Sequence, residues 1–209
     1  VGNDSCVKNS YEAVSTVLQE KNTQATGSGA IFKCMNSTVT MNLSTLFGIK
    51  GYNITLSGAC ASGAHALGHA LHLLRMGLLD RVIAGGSQEL NWEVYSAFDG
   101  LSAFSIREDT PDQASRPFDA SRDGLVPSGG AAMLILERES LVKQRKAPQI
   151  YGELAGYGFS SDGTYLSMPS GEGGVRAMKM ALKDAGVQAG EIDYVNAHAT
   201  STPEGDRME

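Results

Sequence analysis

Cys60 is the residue in this chain best suited to covalent chemistry. It follows a strand-like run over 52–57 and the pair Gly58-Ala59, and a helical pattern begins immediately after it. This order predicts a thiol at the N-terminus of a helix, at the tip of a tight strand-to-helix turn. The helix dipole and backbone N–H groups there favour thiolate over thiol and can hold an oxyanion formed on a substrate carbonyl. The alternative is a small buried hydrophobic residue, which is how free cysteines usually behave.

His198 is a second candidate, because it follows the strand-like residues 194–196. Folds of the α/β class bind ligands at the carboxyl ends of strands, and a histidine there can donate a proton or a hydrogen bond to a carbonyl. The hydroxyls of residues 200–202 come next in the same loop. A structural loop histidine beside a hydroxyl-rich turn is the alternative that spacing leaves open.

Two weaker patterns could suggest a metal ion or a phosphate. His65, His69 and His72 are spaced at i, i+4 and i+7, but they lack the glutamate of an H-E-x-x-H motif. The glycine-rich run at 171–174 lacks both the G-K-[ST] ending of a phosphate loop and the G-x-G-x-x-G spacing. We therefore predict packing or surface histidines, an ordinary helix start, and no metal site.

Composition narrows the class of protein. The 209 residues are 42% hydrophobic and 19% charged, which is typical of a globular chain. The net charge is −6 with no basic run, which argues against nucleic acid as a partner. Cys6 and Cys34 fall within helical patterns, and three cysteines without a C-x-x-C pair favour a reducing cytoplasm. No apolar run approaches transmembrane length, so we predict no membrane association.

Strand-like and helical patterns alternate along the chain, which predicts an α/β fold with a mostly parallel sheet. The apolar run 131–137 is typical of a central strand covered on both faces. The charged stretch 107–123 is interpreted as a solvated loop, and Pro148 as the best internal boundary. The patterns predict helices over about 31–47, 61–76 and 172–185, and strands over 52–57, 81–84, 131–137, 150–159 and 194–196.

Several motifs occur in the order found in one known family. They lie at 57–63 around Cys60 and at 84–89, 115–119, 122–124, 156–158 and 198–206. In this order they resemble the β-ketoacyl-(acyl-carrier-protein) synthases of the thiolase fold, with 88–93 closer to the type I branch. The resemblance implies a thiolase-like layered αβαβα fold, incomplete at both ends. It also implies a truncated N-terminal half over 1–148 and the beginning of a C-terminal half over 149–209.

The resemblance implies a decarboxylative Claisen condensation on an acyl carrier protein, by an enzyme that forms a homodimer. Cys60 would accept the acyl chain from the carrier's phosphopantetheine arm, so the chain needs no cofactor of its own. His198 matches the first of two family histidines that stabilise the enolate of malonyl-carrier. Thr200 and Thr202 match positions that bind the pantetheine arm, and Glu209 matches a structural glutamate near the active site.

Departures from the family pattern and competing functions set the alternatives. Ala199 replaces a glycine, and the second histidine, the lysine and the glycine–phenylalanine loop would lie beyond residue 209. The isolated chain is therefore expected to be inactive. A cysteine hydrolase would want G-x-C-x-G, but Ser62 stands at the last glycine. Non-catalytic partner subunits replace the cysteine, whereas Cys60 is retained; a truncated pseudoenzyme that only dimerises is the third alternative.

Overall fold

The computed structural model describes residues 1–4, 6–166 and 168–209, and these divide into two units. The first unit comprises Val1–Ala97 and Ser128–Pro148, and the second comprises Phe98–Pro127 and Gln149–Glu209. The elements are α1 (Val7–Glu20), α2 (Ala30–Cys34), α3 (Thr38–Phe47), α4 (Ser62–Arg75), β1 (Arg81–Gln88), α5 (Trp92–Gly100), β2 (Gly130–Glu137), α6 (Glu139–Gln144), α7 (Glu172–Ala185) and α8 (Pro203–Met208). The helices predicted after Cys60 and over 172–185 are confirmed.

The core of the first unit lies where α4 packs on β1. On this side of α4, small side chains alternate with leucines, and Ala70, Leu71 and Leu74 are buried with Ala84 of β1. Burial of each leucine contributes about 2 kcal/mol, so this contact anchors the helix that follows Cys60. The helix ends before Gly77, which adopts the left-handed conformation (φ 70°) that terminates helices, as the sequence predicts.

Glycines allow the first turn of α4 to touch β1 closely. A Cβ added at Gly63 would lie 3.4 Å from the Cα of Gly86, so the two backbones are almost in contact. A Cβ at Gly85 would instead clash with the carbonyl of Ala132 on β2. The pair Gly85-Gly86 therefore allows close backbone packing on both sides of β1.

The strands β1 and β2 are antiparallel, with Ala84 opposite Leu134. The predicted mostly parallel sheet is therefore wrong for the strands formed by the described residues. Among the described residues, parallel pairing occurs only as isolated bridges, which include those from Gly2 to Leu56 and to Gly86. The predicted double-sided cover of 131–137 is also wrong, because Leu134 is 54% exposed and Ile135 67% exposed. An apolar run predicts burial, but which element packs over it depends on non-local contacts.

Three predicted strands do not form ladders in the described part of the chain. Residues 150–159 and 194–196 contain no strand, and 52–57 makes only the isolated bridge at Leu56. A strand needs a hydrogen-bonded neighbour, and alternating apolar residues do not identify one.

The helix predicted over 31–47 is interrupted at Met35, whose backbone is extended (φ −86°, ψ 136°). The side-chain amide of Asn3 donates to the carbonyl oxygen of Asn36 at 3.0 Å, just after the break. Asn36, Ser37 and Thr38 follow in succession, and such residues favour caps and turns over helix interiors because their side chains compete for backbone groups. Two short helices therefore replace one long one.

Candidate active site

Cys60 is the middle residue of a 3₁₀ turn, Ala59–Ala61, and α4 begins two residues later at Ser62. Its side chain is exposed. The predicted placement at a helix start is confirmed, and the buried hydrophobic alternative is wrong for this cysteine. Cys6 is buried and Cys34 half-buried, in agreement with a structural role for both.

The turn at Cys60 is held in an unusual backbone conformation. Ala59 has φ +50°, a left-handed value that costs a non-glycine residue about 1–2 kcal/mol. The buried hydroxyl of Ser62 donates to the carbonyl of Ala59 at 2.6 Å and accepts from the N–H of Gly58 at 2.8 Å. Ser62 thus stabilises the turn from inside, at the position where a hydrolase elbow would carry glycine.

Asp4 holds the same turn from the other side. Its carboxylate accepts hydrogen bonds from the N–H of Ala59 at 3.3 Å and from the hydroxyl of Ser57. The backbone beside it is fixed as well, since the N–H of Asn3 donates to the carbonyl of Leu56 at 3.0 Å. The sequence does not mark Asp4 as a support for this turn, because more than fifty residues separate the two.

Tyr95 of α5 is a further residue near Cys60 that the sequence did not single out. Its hydroxyl donates to the carbonyl of Ser128 at 2.6 Å. Burial raises the pKa of Tyr95, and the negative charges of Glu89 and of a Cys60 thiolate raise it further. The phenol therefore lies within electrostatic range of the candidate nucleophile.

In the second unit, Glu209 shapes the backbone at His198. One carboxylate oxygen accepts from the N–H of His198 at 2.9 Å, and the other accepts from the N–H of Ala199 at 2.7 Å. His198 itself is exposed. Two hydrogen bonds to a charged acceptor fix this stretch of chain more firmly than neutral bonds would. The contacts agree with the supporting role that the resemblance implies for Glu209.

The predicted hydroxyl pair lies together in the same loop. The hydroxyl oxygens of Thr200 and Thr202 are 2.9 Å apart, and both residues are half-buried. Gly205 of α8 is required at this point, because a Cβ there would clash with the hydroxyl of Thr202. The two hydroxyls form a polar edge that can hydrogen-bond to amide groups of an extended ligand.

Ser201, between the two threonines, is completely buried. Its hydroxyl accepts from the N–H of Arg116 at 3.0 Å, and its carbonyl accepts from the N–H of Gly124 at 3.0 Å. Its own N–H donates to Asp206 at 3.0 Å. Ser201 thereby ties the His198 loop to a segment more than seventy residues earlier.

Asp206 and Arg122 form a buried ion pair under this loop. The carboxylate of Asp206 lies 3.2 Å from Nε of Arg122 and accepts from the N–H of Phe118 at 2.8 Å. Arg122 also donates to the carbonyls of Thr202 at 3.2 Å and Pro203 at 2.6 Å. The two partners occur within motifs of the sequence, but nothing in their spacing shows that they pair.

The charged stretch 107–123 is therefore not a solvated loop throughout, and that interpretation is wrong for its second half. The side chains of Arg116 and Arg122 are only 13% and 16% exposed. Arg116 pairs with Asp123 at 2.9 Å. The Ser105 hydroxyl, the N–H of Ile106 and Arg116 together hold the pKa of Asp123 below its ordinary value. These charges organise the loop beneath His198.

The weaker patterns of the sequence have structural explanations. His69 lies on α4 with its Nε2 atom 3.4 Å from the hydroxyl of Tyr52. The part of the chain that the structure describes holds no group of three or more residues able to bind a metal ion. The glycine-rich run opens α7, and the N–H of Gly173 is bound by Asp162 at 2.9 Å. Hydrogen bonds from Ser170 and Gly173 lower the pKa of Asp162 to about 2.

The candidate residues fall into two groups. Cys60 belongs to the first unit, with Asp4, Ser62 and Tyr95 around it. The residues of the second group, His198, Thr200, Thr202 and Glu209, belong to the second unit.

Within the described residues, no helix is long and apolar enough to cross a membrane.

Two family models match this chain. The family model for the beta-ketoacyl synthase N-terminal domain matches residues 2–141, and the model for the C-terminal domain matches 151–209. The chain therefore belongs to the β-ketoacyl synthase family. The resemblance read from the sequence motifs is confirmed, and so is the thiolase-like α/β fold that it implies.

Individual relatives agree with this assignment. The chain is 43% identical over 202 residues to a 3-oxoacyl-[acyl-carrier-protein] synthase 1 of Haemophilus influenzae, covering 96% of the chain and 49% of that protein. It is similar to a crystal structure of a beta-ketoacyl synthase from Burkholderia phymatum STM815 (TM-score 0.91, 38% identity), covering all of the chain and 51% of that protein. A solved complex of a type II PKS acyl-carrier protein with its ketosynthase also contains a similar chain (TM-score 0.90, 29% identity). The match covers 98% of this chain and 53% of the solved one. The chain spans about half the length of the relatives it matches.

Proposed function

We propose that the protein containing this chain is a β-ketoacyl-(acyl-carrier-protein) synthase, an acyltransferase of fatty acid or polyketide biosynthesis. The observation that carries the proposal is an exposed thiol at a constrained turn before a buried helix, in a chain of this family. Asp4 and Ser62 hold that turn, so the thiol is presented by a preorganised backbone.

The first half-reaction is transfer of an acyl group to Cys60. The thiolate attacks the carbonyl carbon of an acyl-carrier thioester, and backbone N–H groups at the turn, including that of Cys60, stabilise the oxyanion. The bond to the carrier's sulfur then breaks, and that sulfur leaves as the pantetheine thiolate. One thioester is exchanged for another, so the step is nearly balanced in energy.

The second half-reaction joins this acyl group to malonyl-carrier. Loss of CO₂ breaks a carbon–carbon bond and leaves its electron pair in an enolate, whose oxygen accepts a hydrogen bond from His198. The enolate carbon attacks the carbonyl of acyl-Cys60, and the Cys60 thiolate leaves. Thr200 and Thr202 bind the pantetheine arm, which belongs to the carrier protein, and Glu209 holds the backbone of His198.

Two partners complete the proposal. An acyl carrier protein as partner is supported by the solved ketosynthase similar to this chain, which is in complex with an acyl-carrier protein. A second copy of the protein is supported by α1, whose Val7, Tyr11, Val14 and Leu18 repeat at helical spacing and are all exposed. An odd number of cysteines without a C-x-x-C pair favours the cytoplasm as the compartment.

Acyl labelling of the intact protein tests this function. After incubation with an acyl-carrier thioester, mass spectrometry should find the acyl group on Cys60 and not on Cys6 or Cys34. Cys34→Ser, which changes a half-buried thiol on another helix, is the matched control and should label like wild type. No adduct on Cys60, or equal labelling of all three cysteines, would contradict the proposal. Release of free acid without condensation would instead indicate a hydrolase.

A further inference from the structure

Ser201 has a backbone conformation that its residue type does not favour. Its φ is +69°, and that of Ala199, two residues earlier, is +49°. Non-glycine residues adopt this left-handed region only where surrounding contacts impose it. The loop that carries His198 is therefore forced into shape by contacts outside itself.

Ser201 supplies several of those contacts. Its N–H, hydroxyl and carbonyl all have partners, namely Asp206, the N–H of Arg116 and the N–H of Gly124. The side chain is fully buried, so water cannot replace a lost hydroxyl. Its hydroxyl is thus committed to the protein interior, unlike the paired hydroxyls of Thr200 and Thr202.

We propose that Ser201 is a positioning residue that fixes His198 and the threonine pair relative to each other by anchoring the loop that carries all three of them. This inference rests on the proposed function for what His198 does. Ser201 itself does not touch the substrate. Its buried hydroxyl and the carboxylate of Glu209 hold the loop at two separate points, one on each side of Thr200.

The test compares Ser201→Ala with Ser201→Gly in the intact protein. Both variants lack the hydroxyl, but glycine adopts φ +69° freely, so Ser201→Gly relieves the backbone strain that Ser201→Ala keeps. We expect both to decarboxylate malonyl-carrier about 10- to 100-fold more slowly, because small displacements of a catalytic group have effects of this size. Acylation of Cys60 should be unchanged in both. Ser160→Ala removes an exposed hydroxyl bound to the carbonyl of Gly173 in the same unit, and should match wild type in both steps.

The outcomes separate positioning from stability. The inference is overturned if acylation and decarboxylation are lost equally, because Ser201 would then act only through folding. It is also overturned if Ser201→Gly decarboxylates malonyl-carrier at the wild-type rate, because the hydroxyl would then not be needed. If wild type does not decarboxylate malonyl-carrier, the proposed function fails, and amide hydrogen exchange decides the inference. Faster exchange at His198 and Ala199 in Ser201→Ala, with α7 unchanged, supports the anchor; unchanged exchange there refutes it.

Discussion

Asp206→Asn tests the buried ion pair beneath the His198 loop. The Asp206 side chain is fully buried and accepts from two backbone N–H groups while it pairs with Arg122. The asparagine amide has the same shape as the carboxylate but only one acceptor oxygen. One of the two backbone N–H groups would therefore face the NH₂ group, which is itself a donor. Losing one partner of a buried pair costs about 3–5 kcal/mol. In the variant, Arg122 keeps its hydrogen bonds to two carbonyls. We therefore expect the free energy of unfolding to fall by about 3 kcal/mol, the lower end of this range.

The assay is thermal unfolding followed by circular dichroism, with amide hydrogen exchange to locate the change. A loss of about 3 kcal/mol should lower the melting temperature by about 6–12 °C in a chain of this size. Glu204→Gln is the matched control, because it removes the ion pair of Glu204 with Arg207 on the same helix. Both side chains of that pair are 62% exposed. Such surface pairs contribute about 0–1 kcal/mol. The reasoning is refuted if Asp206→Asn melts within 2 °C of wild type, or if both variants lose the same stability.

Two further predictions concern a pH dependence and a catalytic role. The folded-state pKa of Asp162 is about 2, below the ordinary value of about 3.9. The ionised Asp162 therefore contributes its full stabilisation above about pH 4, and this stabilisation is lost as the pH falls through about 2. The free energy of unfolding, measured as a function of pH, should show this loss in wild type and not in Asp162→Asn. His198→Ala should leave acylation of Cys60 intact and slow decarboxylation of malonyl-carrier by about 10²–10⁴-fold. Equal loss of both steps, measured separately with acyl-carrier and malonyl-carrier, would contradict that assignment.

Sequence patterns predicted the local features of this chain well. The turn at Cys60 and the start and end of α4 follow from neighbouring glycines and from apolar residues at helical spacing, which are properties of one short segment. The family motifs singled out His198, Thr200 and Thr202, which lie in one loop, and Glu209, whose carboxylate accepts from the backbone of that loop. The catalytic and binding roles of these residues stay predictions until they are measured.

Features that depend on distant partners could not be predicted in this way. The antiparallel pairing of β1 with β2 joins segments about fifty residues apart. The sequence of an apolar strand does not show whether the neighbouring strand runs parallel or antiparallel to it. Arg122 and Asp206 are similarly remote, and a charged loop residue has the same sequence pattern whether it is solvated or buried. The break after α2 was missed because the apolar spacing over 31–47 continues through residues that prefer turns.

The bond between Asp4 and the backbone of Ala59 has a consequence for the order of folding. It closes a loop of 55 residues, whereas α4 needs only contacts within one helix. Helices form in about a microsecond or less, but contacts between distant segments carry a larger loop-closure cost and form later. The helix after Cys60 should therefore exist before the turn is complete. A partly folded chain would then display an ordinary cysteine, and its specialised reactivity would arise only with the last long-range contacts.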